Sequence, residues 1–80
     1  MKSTRFERVW GRRLSRDVQM ERVRQVIQEE LTPFQREILT AYYFQELTIP
    51  QIAVDRGVNK STVSRTLRRA EKKLRRYLAY

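Results

Sequence analysis

Apolar residues recur every three or four positions along most of the chain, which is the spacing of one face of an α-helix. The longest such run starts near residue 60 and continues almost to the C-terminus, through Val63, Leu67, Ala70, Leu74 and Tyr77/Leu78. Two glycines and two prolines in 80 residues leave few places for the turns of a β protein. The pattern therefore predicts an all-α fold, a small helical bundle with a long C-terminal helix.

The N-terminal part of the chain divides into an arm and a helix. Residues 1–13 are basic and lack a clean period, so we interpret them as a loosely held arm, helical in part, with three apolar residues available to pack or to bind: Phe6, Val9 and Trp10. Ser15 is a suitable N-cap for a helix that runs to about Glu30. The apolar stripe of that helix consists of Val18, Val23, Val26 and Ile27. The domain is accordingly predicted to span residues 14–80.

Two further helix starts carry the same capping pattern. In the first, Thr32 is the N-cap, Pro33 occupies the first helical position and Gln35 completes a capping box. In the second, Thr48 and Gln51 repeat the box. The helix after Thr32 is predicted to end near residue 45 and to direct five residues to the core: Phe34, Ile38, Leu39, Tyr42 and Tyr43. Asn59 is predicted to cap the last helix, and two pairs form hydrophobic staples: Leu47 with Ile52, and Val58 with Val63.

The segment from residue 48 to residue 68 has the residues that two steeply crossing helices need. Ala53 is small where the axes approach, and Gly57 tolerates the positive φ of a tight turn four positions later. Apolar side chains for the shared core come from Ile52, Val58 and Val63. The spacing predicts a helix-turn-helix, with residues 48–56 as the supporting helix and residues 60 onward as the recognition helix. An αα-hairpin without a ligand explains the same spacing, but not the polar and basic residues left exposed on its second helix.

The charge distribution favours a nucleic-acid partner. The net charge is +9 and the isoelectric point is near 10.9. Residues 60–80 hold eight Lys/Arg against one Glu, a net +7, whereas residues 1–30 carry +3 and residues 31–59 carry −1. A solvated helical face usually mixes charges of both signs, and only Glu71 offsets the cations of the last helix. That helix is therefore the predicted contact with double-stranded DNA.

The composition also excludes several classes of function. Without cysteine there is no disulfide, thiolate metal site or cysteine nucleophile, and without histidine the usual neutral-pH general base is missing. The one adjacent acidic pair, Glu29-Glu30, has no catalytic partner nearby in the sequence, so an enzyme is not expected. No apolar run approaches the roughly 20 residues of a membrane span. We expect a cytoplasmic protein with no cofactor, metal or small-molecule ligand.

The recognition helix has residues suited to both bases and phosphates. An α-helix fits the major groove and meets base edges with its N-terminal residues, so four side chains of the first two turns are predicted to read bases: Lys60, Ser61, Ser64 and Arg65. The cations farther along cannot all face one groove and are predicted to contact phosphates, which set affinity without choosing sequence. The predicted phosphate contacts are Thr48, Asn59, Thr62, Arg68, Arg69, Lys72, Lys73 and Arg76.

Residues 31–78 resemble region four of bacterial sigma factors. The similarity lies in four runs, 31–39, 43–48, 52–53 and 57–63, and in the basic segment 67–75. Response-regulator output domains of the quorum-sensing regulator type share much of this pattern. The resemblance implies a domain that reads the upstream promoter element through the major groove and docks on the flap of the RNA polymerase β subunit. It assigns base reading to the same four residues of the recognition helix.

Two positions depart from the sigma pattern, because Arg56 and Thr66 stand where apolar residues are usual. Arg56 is expected to snorkel or to contact phosphate, and packing at Thr66 is expected to be lighter. Nothing before residue 31 is long enough for the sigma domain that melts the downstream promoter element. The chain is therefore not expected to be a complete initiation factor.

A single helix-turn-helix reads few base pairs, so the leading hypothesis is a sequence-specific transcriptional regulator that acts with RNA polymerase or as a homodimer. An interaction module that binds polymerase or a sigma factor and contacts DNA weakly is the second hypothesis. A DNA-binding module of a phage or mobile-element protein is the third. Three successive aromatics cannot all point inward from one helix, so one of them is a candidate for a partner surface: Tyr42, Tyr43 or Phe44.

Overall fold

Five helices form the part of the chain that the computed structural model describes, residues 4–11 and 20–78. They are α1 (Arg5–Trp10), α2 (Met20–Glu30), α3 (Pro33–Tyr43), α4 (Ile49–Arg56) and α5 (Lys60–Tyr77). No strand occurs in these residues. The predicted all-α bundle with a long C-terminal helix is confirmed. Within the same residues, no helix combines the length and apolar character that a bilayer span requires.

Both predicted capping boxes are present. The Thr32 hydroxyl accepts from the backbone N–H of Gln35 at 3.2 Å, and the Gln35 side chain accepts from the Thr32 N–H at 3.1 Å. The Thr48 and Gln51 pair makes the same two bonds at 3.2 and 2.8 Å. Each box satisfies backbone donors that the first turn of a helix leaves without intrahelical partners. The residue at which α4 begins is therefore determined by local sequence.

The core lies where α3 and α4 pack against the apolar stripe of α5. Val63, Ala70 and Leu74 of α5 are fully buried, as are Ile38 and Ile52 on the facing helices. Leu78, just beyond α5, is buried as well, whereas its neighbour Tyr77 is 39% exposed. The predicted stripe thus continues through Leu78 and not through Tyr77.

Helix α2 covers one side of this core. Val23, Val26 and Ile27 are buried, as predicted. The predicted N-cap Ser15 and the first stripe residue Val18 lie outside the described residues.

Residues 4–11 are helical in part, as expected for the N-terminal arm, but they are packed on the core and not loosely held. Thr4 caps α1 by accepting from the backbone N–H of Glu7 at 3.2 Å. Phe6 and Trp10, one helical turn apart, are 1% and 3% exposed, because they pack into the main core. Val9 on the opposite face is 42% exposed. The boundary drawn between residues 13 and 14 lies outside the described residues.

The three successive aromatics all contact the core, because α1 packs against this end of α3. Tyr43 is the last helical residue and is buried, and Phe44 is the C-cap, whose N–H donates to the carbonyl of Thr40. Phe44 stacks on Phe6 of α1 with ring centroids 5.2 Å apart, and Tyr42 is half-buried against the core. The aromatic residues that were candidates for a partner surface are therefore in contact with α1.

Candidate nucleic-acid interface

The turn between α4 and α5 has the geometry predicted for a helix-turn-helix. Gly57 adopts φ 67° and ψ 37°, a left-handed conformation that costs other residues energy. The N–H of Val58 donates to the carbonyl of Ala53 at 3.0 Å, and the Gly57 N–H donates to the carbonyl of Val54 at 3.2 Å. This pair of bonds is a Schellman motif, which ends α4 and redirects the chain. Ala53 is 4% exposed and faces the core shared by the two helices.

The four predicted base readers occupy the first two turns of α5. Lys60, Ser61 and Arg65 are exposed, and Ser64 is half-buried. Ser61 and Arg65 lie one turn apart, as do Lys60 and Ser64, so the four side chains share one side of the helix. Val63 is buried on the other side. The structure thus brings all four residues together on a surface that a groove can reach.

Asn59 stands at the N-cap of α5 but does not cap it with its side chain. Its φ of −74° and ψ of 152° are those of an N-cap, yet the side chain makes no capping hydrogen bond. The prediction of its position is confirmed and that of its hydrogen bond is wrong. The exposed Asn59 amide and the half-buried Thr62 both lie at the N-terminus of α5, the end of a helix that favours an anion.

The second half of α5 is a row of exposed cations: Arg68, Arg69, Lys72 and Arg76. Among the described residues none of these four has a carboxylate within ion-pairing distance. Three of them, with Lys73 and Gln35, line a shallow depression between α5 and the first turn of α3. The surface can bind several phosphates without first breaking an internal ion pair.

Lys73 has a structural contact that the sequence did not indicate. Its Nζ donates to the backbone carbonyl of Glu30 at 3.1 Å, at the C-terminal end of α2. That carbonyl is one of the last of its helix, where a cation is favoured. Lys73 is half-buried and joins α2 to α5, so its removal affects packing as well as any phosphate contact.

Glu71, the one carboxylate of α5, is half-buried and lines a surface depression with Arg68, Lys72 and Arg75. It accepts a hydrogen bond from the hydroxyl of Tyr43 on α3. The pKa of the Tyr43 phenol is raised well above its ordinary value. Burial is the largest cause, and the hydrogen bond to Glu71 is the second. A hydrogen bond from the core therefore fixes the position of the one acidic side chain on α5.

Arg56 and Thr66, the two departures from the sigma pattern, both fit the fold. The guanidinium of Arg56 lies 3.4 Å from a carboxylate oxygen of Glu37 on α3 and 3.5 Å from one of Asp55. Arg56 thus makes a surface ion pair between α4 and α3. Thr66 is 8% exposed and contributes to the buried face of α5.

The sequence profile described as "Sigma-70, region 4" matches residues 21–74. The chain belongs to the sigma-70 region 4 family. The resemblance predicted from residues 31–78 is confirmed, and the match begins ten residues earlier, so that it includes nearly all of α2. No curated protein and no solved structure matches the chain.

Sigma-70 region 4 is a DNA-binding helix-turn-helix domain and not a catalytic family. In this region 4 domain the helix-turn-helix is α4 and α5, and all of the predicted readers lie within the matched segment. Helix α1 and Leu78 lie outside it, although both contribute to the core.

Sequence reasoning missed three side chains that shape this domain: Arg5, Gln35 and Glu71. Gln35 was assigned only its capping role, but it also lines the cationic depression. Arg5 and Glu71 contact residues 28 or more positions away, and no local spacing rule reports such pairs. The sequence marked Glu71 only as the one acidic residue among the cations of residues 60–80, and did not indicate its contact with Tyr43.

Proposed function

We propose that this protein is a sequence-specific DNA-binding transcriptional regulator of the cytoplasm, which reads the major groove with α5 and obtains its second anchor from RNA polymerase or from a second copy. The observation that carries the proposal is the exposed N-terminal surface of α5, with Lys60, Ser61, Ser64 and Arg65 on one side. These side chains offer cations and hydroxyls, which pair with base edges.

The cations beyond the second turn supply affinity in this proposal. Ten residues of helix advance about 15 Å, more than the roughly 12 Å width of the major groove. Cations near residue 72 therefore lie beyond the bases that residues near 62 contact, at the distance of the phosphate backbone. The hydroxyl of Thr48, at the start of α4, is exposed and adds a donor toward the same backbone.

The first experiment compares two alanine variants on α5. Arg65→Ala is expected to cost about 1–3 kcal/mol of binding free energy and to relax base preference at one position of the site. Lys72→Ala is expected to weaken binding to all sequences alike and to lower the salt slope by about 1. Lys72 is the better phosphate probe than Lys73, because Lys73 also holds the carbonyl of Glu30. Equal effects of the two variants on base preference would contradict the assignment of the reading surface.

Selection of binding sites from random DNA, with and without RNA polymerase, tests the second anchor. A motif that emerges only with polymerase supports a role in a split sigma factor or a polymerase-associated regulator. A palindromic motif without polymerase supports a dimer. Tight polymerase binding together with equal affinity for selected and random DNA would contradict sequence-specific reading and favour an interaction module.

A further inference from the structure

One arginine of α1 holds the end of α3 and the loop that leads into α4. Nη1 of Arg5 donates to the backbone carbonyls of Tyr42 at 2.7 Å and Leu47 at 2.8 Å, and Nη2 donates to that of Glu46 at 3.3 Å. The guanidinium also lies over the Tyr42 ring, 4.3 Å from its centroid. Carbonyls at a helix end lack intrahelical partners, and the planar fork of an arginine can bind several at once.

The loop that Arg5 holds has an unusual backbone. Glu46 has φ 57°, the one left-handed residue besides Gly57 among those described. A residue with a Cβ rarely adopts this conformation unless its surroundings enforce it. The side chain of Glu46 is bound by Arg8, also from α1. Two residues later the loop ends at Thr48, the N-cap of α4.

Helix α1 is itself firmly anchored. Phe6 stacks on Phe44 with ring centroids 5.2 Å apart and meets the edge of Tyr43 at 5.9 Å. Trp10 is buried one turn later, and the Arg75 guanidinium of α5 lies 6.0 Å from its ring centroid. Helix α1 therefore contacts the loop before α4 and the last turns of α5 together, although it lies outside the segment that matches the family.

We propose that Arg5 is a positioning residue for DNA binding: by holding the loop of residues 44–48 to α1, it fixes where α4 begins relative to α5. Arg5 does not contact DNA in this proposal. Its effect is carried by the backbone of Glu46 and Leu47 to the N-terminus of α4. The inference rests on the proposed function, since the consequence it names is DNA affinity.

The test compares Arg5→Met and Arg5→Lys with Arg24→Met in the full chain. Arg24 is exposed on α2 and has no contact with the loop, so its replacement removes the same charge and gives the baseline. Amide hydrogen exchange is measured without DNA. In Arg5→Met the hydrogen-bonded amides of Leu47, Thr48 and Gln51 are expected to exchange about tenfold faster, because the guanidinium bonds that hold the loop are lost. Those of Leu67 and Ala70 are expected to keep their protection.

DNA affinity is then measured at a temperature where all variants are folded. Arg5→Met is expected to bind the selected site about tenfold more weakly than Arg24→Met, with Arg5→Lys between them because an ammonium lacks the fork. The proposal is overturned if loop exchange or DNA affinity in Arg5→Met equals that in Arg24→Met. If the wild-type protein itself does not bind DNA, the proposed function fails, and loop exchange still decides whether Arg5 holds the loop.

Discussion

At the scale of single residues, the pair formed by Tyr43 and Glu71 fixes the position of the one carboxylate of α5. Glu71 is half-buried beside Arg68, Lys72 and Arg75, so its charge offsets part of their field. Its hydrogen bond from the buried Tyr43 hydroxyl turns it inward. A single tyrosine on α3 therefore determines where the one negative charge of α5 lies.

The pair makes stability sensitive to alkaline pH. The pKa of Tyr43 is raised in the folded state above its ordinary value of 10.0, so the folded protein retains a proton that the unfolded chain releases above that pH. The stabilisation is complete below pH 10 and is lost as the pH rises further. We expect the free energy of unfolding of wild type to fall relative to Tyr43→Phe above pH 10, as measured by denaturant titration. Tyr77→Phe, at an exposed tyrosine, is the control, and parallel pH profiles of wild type and Tyr43→Phe would refute the linkage.

At the scale of elements, α4 and α5 begin by different means. Helix α4 has a complete capping box, whereas α5 has an N-cap residue whose side chain makes no capping bond. The Asn59 side chain and the first N–H groups of α5 are therefore available to a ligand. At the start of α4, by contrast, the Thr48 hydroxyl already accepts a hydrogen bond from the N–H of Gln51. The N-cap of α4 therefore contributes more to folding stability than the N-cap of α5 does.

Three cap variants measure this separation. Thr32→Ala and Thr48→Ala are each expected to lower the free energy of unfolding by about 1 kcal/mol, since each loses a capping bond. Asn59→Ala is expected to cost clearly less. In DNA binding, Thr32→Ala serves as the stability-matched control, while Thr48→Ala and Asn59→Ala are expected to weaken affinity. Equal DNA affinity of the Thr32 and Thr48 variants would remove Thr48 from the predicted phosphate contacts.

Elements defined by short-range patterns could be predicted from the sequence, and those defined by distant contacts could not. The capping boxes and the glycine of the turn depend on residues three to five positions apart, so α3, α4 and the helix-turn-helix were predicted. Helix α1 depends on packing of Phe6 and Trp10 against residues more than 30 positions away. Six residues of helix carry too weak a periodic signal to reveal that packing.

The same distinction applies to the candidate interface. Exposure of Lys60, Ser61 and Arg65 follows from the period of α5, which the apolar stripe defines. The engagement of Lys73 with Glu30 does not, because α2 and α5 meet only in the folded chain. The charge of a helix can be counted from sequence, but which of its cations remain available cannot.

At the scale of the whole molecule, charge is segregated. The described carboxylates of Glu37, Glu46 and Asp55 pair with Arg56 or Arg8, away from the exposed row on α5. The net +7 of residues 60–80 is therefore carried almost entirely by one helix of a small domain. A polyanion approaching this surface releases counterions from each phosphate that a cation neutralises.

Salt dependence measures the size of that contact. If Arg68, Arg69, Lys72 and Arg76 each neutralise one phosphate, log K is expected to fall with log salt at a slope of about −3.6. Affinity for any DNA duplex would then drop roughly 150-fold between 50 and 200 mM salt. Fluorescence anisotropy with a labelled duplex gives the slope directly. A slope near zero would contradict phosphate binding by this surface.

Because α1 packs into the core, the segment that folds together is longer than residues 21–74, the segment that matches the family. A fragment trimmed to residues 21–74 would keep every proposed DNA contact except Arg76. It would lose Phe6, Trp10 and Leu78 and would uncover the aromatic face of Tyr43 and Phe44. Such a fragment would present an adhesive apolar patch beside a polycationic helix, a combination that promotes aggregation and indiscriminate binding. Anyone choosing boundaries for expression should therefore cut by the contacts of α1 and not by the limits of the family match.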